Sequence, residues 1–173
     1  MFKLLISSLL FLLSPVLQAE VIRSAPDGFE IKVEAEVDGS KQEVYEQFLR
    51  VYEWWDGDHS WFGKASGFSL DARAGGCFCE VDGDKSVMHM QVSFVDPGNR
   101  VAMIGGLGPL QDLGLYGAMS WNFEALSDST TKVVHTYRVM GYYPDGLEEL
   151  AVAVDRVQTL QVSRLEAKLA GEF

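Results

Sequence analysis

Cysteine and basic residues are scarce in this chain. Two Cys among 173 residues cannot supply a disulfide framework, so the fold must rest on its core rather than on covalent staples. Fourteen Lys and Arg stand against 25 Asp and Glu, a formal charge of −11 with a pI near 4.6. Like charge over the whole surface opposes polyphosphate backbones and anionic bilayers, so no nucleic-acid partner is expected. No apolar run reaches the length that spans a bilayer as a helix. Internal repeats and low-complexity tracts are missing. So are a nucleophile elbow, a Ser/His/Asp set and a dinucleotide fingerprint, and no cofactor is expected. The Gly-rich stretch Gly105–Leu115 lacks the Lys-Ser/Thr of a phosphate cradle. It reads instead as a lid carrying Leu107, Leu110, Leu113 and Leu115, or as a connection folded onto the core. What is abundant is apolar mass, 47% of residues and 12% aromatic, enough for one packed domain hiding about 70% of its unfolded surface.

The first residues are read as a targeting segment. Lys3, the apolar run Leu4 to Leu13, and a small residue, Ala19, before the polar Glu20 make a secretory signal over residues 1–19. Its removal takes away one cation and no acid, leaving residues 20–173 as a single, still more acidic domain with no stable membrane span. Retention as an uncleaved anchor is the alternative. The expected location is outside the cytoplasm, periplasmic if the source is Gram-negative.

After an irregular lead-in, Phe29, Ile31, Val33, Ala35 and Val37 alternate with polar residues, the period of a half-buried strand. Ser40 and Glu43 form a capping box, and Val44, Phe48, Val51 and Trp55 predict a helix from Lys41 to about Trp55. Six strands then follow in an antiparallel meander: Gly67–Arg73, Cys77–Val81, Ser86–Val95, Arg100–Ile104, Tyr116–Leu126 and Thr131–Tyr142. Turn residues such as Asp82-Gly83-Asp84 and Pro97-Gly98 separate them. From Leu147, an apolar stripe of Leu147, Leu150, Ala151, Val154, Val157, Leu165 and Leu169 predicts a long amphipathic terminal helix. The fold class is α+β, a curved antiparallel sheet of about seven strands in β-α-α-β6-α order around the C-terminal helix.

That order, together with Trp54-Trp55, the turn-strand Gly75-Gly76-Cys77-Phe78 and the hairpin Val95-Asp96-Pro97-Gly98-Asn99-Arg100-Val101, resembles the START-like helix-grip superfamily, also called SRPBCC. The similarity spans Glu30 to Ala170. It implies a cavity between sheet and terminal helix that holds lipids, sterols, polyketides or aromatic compounds; a minority of that superfamily are cyclases, lyases or oxygenase subunits. The fold does not carry a substrate, so function must be argued from the site.

Three readings of the site follow. In the first, a carrier without chemistry binds a small hydrophobic or aromatic molecule through Trp54, Trp55, Phe62, Phe78, Met90, Tyr137, Gln158 and Gln161. The two Gln fall in the middle of the apolar stripe, where an unpartnered amide costs about 1 to 3 kcal/mol, so each needs sheet, water or ligand. In the second, an enzyme of the cyclase, isomerase or hydrolase kind uses the same cavity with His59 or His135 as base. In the third, Cys77 and Cys79 lie on one strand face opposite His89 and Val87. Phe78, Met88 and Met90 then share the other face. Two sulfurs and an imidazole would hold zinc or copper, with His59 or Asp58 as fourth ligand. Two semi-buried thiols or a local disulfide are the competing outcomes there. Oligomeric state is left open by the sequence.

Overall fold

The computed structural model describes residues 17–173; the targeting segment falls mostly outside the described residues. Eight strands form one open antiparallel sheet: β1 (Gln18–Ala25), β2 (Gly28–Asp38), β3 (Phe68–Leu70), β4 (Cys77–Asp82), β5 (Lys85–Asp96), β6 (Arg100–Gly105), β7 (Tyr116–Ala125) and β8 (Thr130–Met140). Their spatial order is β1-β2-β8-β7-β6-β5-β4-β3. The chain leaves β2, crosses to the far edge and meanders back until β8 pairs with β2 along its whole length. The sheet therefore has eight strands rather than about seven. The addition is β1, which lacks an alternating pattern because it is an edge strand exposed along nearly all its residues, and register to β2 alone defines it.

Alternation in β2 is borne out, with Phe29, Ile31, Val33, Ala35 and Val37 all buried. The inward residues of β7 and β8, including Met119, Trp121, Phe123, Val133, Tyr137 and Val139, continue the same layer. Register shifts at Val21/Arg23, Phe78/Cys79 and Val92/Phe94 interrupt the ladders, and such bulges increase local twist and bend a sheet.

Helix α1 (Lys41–Leu49) starts at Ser40, whose backbone N–H donates to Glu43 Oε2 at 2.8 Å while its hydroxyl accepts from the Glu43 N–H. It stops six residues short of Trp55. Arg50 leaves helical geometry and a 3₁₀ turn, Val51–Glu53, follows. Spacing alone missed this, because a 3₁₀ turn also returns to one side every three residues and so still buries Val51 with Trp54. Helix α2 (Glu148–Leu169) packs across β2 and β1, burying Ala151, Gln158, Gln161, Val162 and Leu165. Among the described residues no helix is long and apolar enough to cross a membrane.

The hairpin between β4 and β5 corrects the predicted pairing. The turn is two residues long, with Asp82 opposite Lys85, so Cys79 faces Met88; beyond the bulge, Phe78 faces Met90 and Cys77 faces Gln91. A one-residue change of register exchanges the faces of a strand. His89 consequently turns inward with Phe78 and Glu80, and Met88 is exposed. Cys77 and Cys79 lie half-buried on the other side, joined in a disulfide. The Cys77/Cys79/His89 metal set is thus split between two faces, with both sulfurs already bonded.

Candidate functional site

Between α2, the sheet and two loops lies a cavity of about 350 Å³. Helix α2 contributes Leu150, Ala153, Val154, Val157 and Gln158; the segment 55–61 contributes Trp55, Asp58, His59, Ser60 and Trp61; the sheet contributes His89 and Tyr137. The fourth wall is the Gly-rich connection, through Leu107, Gly108, Pro109, Leu110 and Leu113. Leu150, Val154 and Val157 belong to the apolar stripe of α2 yet are only partly buried, because they face this hollow instead of the sheet.

The Gly-rich segment is a connection folded onto the core that also borders the cavity. Leu107, Leu110 and Leu115 are buried in the core, and Leu107, Leu110 and Leu113 wall the cavity. Gly105 opens it with φ 147°, where a Cβ would stand 2.9 Å from the His89 carbonyl oxygen. Tyr137 anchors it: its Oη accepts from the Leu107 N–H at 3.0 Å and donates to the Gly105 carbonyl at 3.3 Å. Burial raises the Tyr137 phenol to about 12, an effect the Leu107 amide partly offsets, so it remains a neutral strut.

Of the eight residues expected to bind a ligand, Trp55, Tyr137 and Gln158 stand on the cavity wall. Trp54 is packed instead against Phe48 and Trp121, with its indole N–H donating to the Phe48 carbonyl at 3.1 Å. Phe78 and Met90 are core residues. Phe62 is half-buried away from the cavity, with the Lys85 ammonium 5.9 Å from its ring centroid. Gln161 Oε1 accepts from the Asp56 N–H at 2.9 Å, tying α2 to the loop that carries His59. Aromatic mass alone did not separate wall from core, since both need large rings.

The two candidate bases part company. His135 is fully buried, stacked on Trp121 at 4.2 Å, with Nε2 3.0 Å from Gln158 Oε1. Burial pulls its pKa down to about 4, against the smaller opposing effects of the Ser120 backbone and Gln158. It is a neutral core group behind the wall. His59 does line the cavity, with Nδ1 3.8 Å from Asp56 Oδ1, and its side chain is partly open to solvent.

His89, expected in a metal set, borders the same space and pairs with Glu80, to which the sequence reading gave no role. Glu80, fully buried, accepts the Trp61 N–H at 3.0 Å on Oε2 and the Phe62 N–H at 2.9 Å on Oε1. Its Oε2 also lies 3.2 Å from His89 Nε2. Glu80 therefore fastens the 55–61 wall to β4. Burial lowers the His89 pKa, against the opposing hydrogen bond and charge of Glu80, and the ring stacks on Phe68 at 5.2 Å. The one signal for Glu80 was its place two residues from Phe78 on the inward face, a buried-strand position that ordinarily rejects an acid.

No protein-family model matches the sequence, and no curated relative is found at significant similarity. Solved structures do match. The crystal structure of CalU16 from Micromonospora echinospora superposes with TM-score 0.61 at 15% identity, covering 91% of this chain and 85% of that one. Protein MLL2253 from Mesorhizobium loti matches with TM-score 0.57 at 14% identity, over 83% of this chain and 97% of its own. Mll3558 from Rhizobium loti gives TM-score 0.57 at 17% identity, over 81% and 96%. These proteins share the curved antiparallel sheet and C-terminal helix, a helix-grip-like fold. At such identities the likeness is one of fold alone.

Proposed function

We propose that this protein is a START-like binding or carrier module that holds one small hydrophobic or aromatic molecule in the cavity beneath α2. The observation that carries this reading is the uncovered part of the α2 stripe. Leu150, Val154 and Val157 face a hollow of about 350 Å³, bounded otherwise by Leu107, Leu110 and Trp55. An apolar cavity with a few polar groups at its margin is the usual form of a small-molecule site. Native mass spectrometry of the full chain tests the proposal: a copurifying small molecule is expected, and Val157→Trp, which fills the hollow, is expected to release it. Unchanged retention in Val157→Trp counts against the cavity as its seat.

An enzymatic use of the same space is the second reading, favoured by one observation: His59 lines the cavity beside Asp56. It predicts that the bound molecule is chemically altered on incubation with the protein, and that His59→Gln retains the molecule but not its conversion.

We also propose that the chain acts outside the cytoplasm. The signal-like composition of residues 1–19 supports this. N-terminal sequencing of protein from fractionated cells is expected to begin at Glu20; a cytoplasmic chain starting at Met1 would remove the proposal.

A further inference from the structure

The buried Glu80–His89 pair poses a chemical question that the fold does not answer. His89 is 3% exposed and lines the cavity. Its Nε2 lies against Glu80, while its Nδ1 is buried with no hydrogen-bond partner among the described residues. A carboxylate offers only acceptor lone pairs, so the proton of a neutral ring sits on Nε2 and Nδ1 keeps a free lone pair. Leaving such an acceptor buried and unpaired is costly unless something else fills it. The ring is held in a three-ring cluster, stacked on Phe68 at 5.2 Å, tilted against Phe78 at 5.4 Å, and anchored at Nε2.

We propose that His89 Nδ1 is a recognition point of the cavity, accepting a hydrogen bond from a hydroxyl, phenol or amide N–H of an otherwise apolar ligand. Glu80 is its positioning residue. The inference rests on the cavity-binding reading above and adds the ligand's chemical class, an apolar body bearing one hydrogen-bond donor. Glu80 is held by the Trp61 and Phe62 amides, so the tautomer is set by the same wall segment that shapes the cavity. Burial lowers the basicity of the ring, against the opposing Glu80 charge, and so favours its neutral, accepting form.

The probes are 2-naphthol, which carries a phenolic donor, and 2-methoxynaphthalene, which has a similar body and no O–H. The full chain is first extracted of copurified molecules. Both probes are expected to bind, 2-naphthol more tightly by roughly five-fold, the worth of one hydrogen bond. His89→Phe keeps the stacking and is expected to bind both probes equally. In ¹⁵N-labelled wild-type protein, two-bond ¹H–¹⁵N correlations are expected to show His89 Nδ1 unprotonated, and its resonance to move upfield with 2-naphthol and not with 2-methoxynaphthalene. Equal affinities in the wild type overturn the recognition point while leaving the cavity reading intact. So does a preference that survives in His89→Phe, a protonated Nδ1, or an Nδ1 signal unmoved by bound 2-naphthol. Should His89→Phe fail to fold, the wild-type resonance decides alone. Binding of neither probe overturns the cavity reading and this proposal together.

Discussion

His135 shows how a single buried side chain sets a pH limit. Its folded-state pKa, near 4, lies below the ordinary value of 6.5. Between those values the unfolded chain binds a proton that the folded chain refuses, so stability falls as pH drops from about 6.5 toward 4. At about 1.4 kcal/mol per unit the loss is on the order of 3 kcal/mol. Asp155 and Glu166, whose carboxyls burial raises, act in the opposite sense as pH falls, so a difference measurement is needed. Urea midpoints at pH 7 and 4.5 are expected to differ less in His135→Gln than in the wild type. Glu80 gives a second residue-scale expectation. Glu80→Ala strips the acceptor from two backbone amides and His89, and is expected to cost about 3 kcal/mol or more in denaturant unfolding. Gln158 could be picked out from its place within an apolar stripe. His89 was singled out too, but for a metal set on the opposite face, because its side of the strand depended on a hairpin register one residue away from the expected one.

At the scale of elements, the β4–β5 hairpin decides most. The pairing of Asp82 with Lys85 and the bulge at Phe78/Cys79 send His89 and Glu80 inward and the two sulfurs outward. The disulfide closes only a three-residue loop, and chain-entropy reasoning assigns so short a loop less than about 2 kcal/mol. Thermal melts with and without a reductant are expected to differ by only a few degrees. Gly105 is a sharper constraint, where the end of β6 meets the Gly-rich wall at φ 147° with the His89 carbonyl in the way of any Cβ. Gly105→Ala is expected to destabilise by at least about 1 kcal/mol and to weaken binding by displacing Leu107 from Tyr137 Oη, readable by melting and by 2-naphthol titration. The two ends of α1 illustrate what local pattern reveals. The capping box at Ser40 was legible, whereas the early stop at Arg50 was not, since helical and 3₁₀ turns share a spacing of three.

For the molecule as a whole, the carrier reading makes stability depend on occupancy of the cavity beneath α2. A ligand that binds only the folded chain at about 100 times its Kd adds about 2.7 kcal/mol, or roughly 5 to 10 °C for a domain of this size. Protein stripped of its copurified molecule is therefore expected to melt lower than untreated protein, and Val157→Trp to show no such difference. A melting temperature indifferent to extraction in the wild type would remove the carrier reading.

Period-two and helical periodicities are local properties of a chain, and they sufficed here to place β2, the meander from β3 to β8 and α2 within a few residues. The order of those elements was enough for an antiparallel sheet with one long helix laid across it. Which of the apolar residues are packed and which border empty space depends on sheet bend, hairpin register and the landing point of the Gly105–Leu115 connection. Those are sums over contacts between residues distant in the chain. Trp54 in the core, Trp55 on the wall, and His89 turned inward beside Glu80 were decided only there.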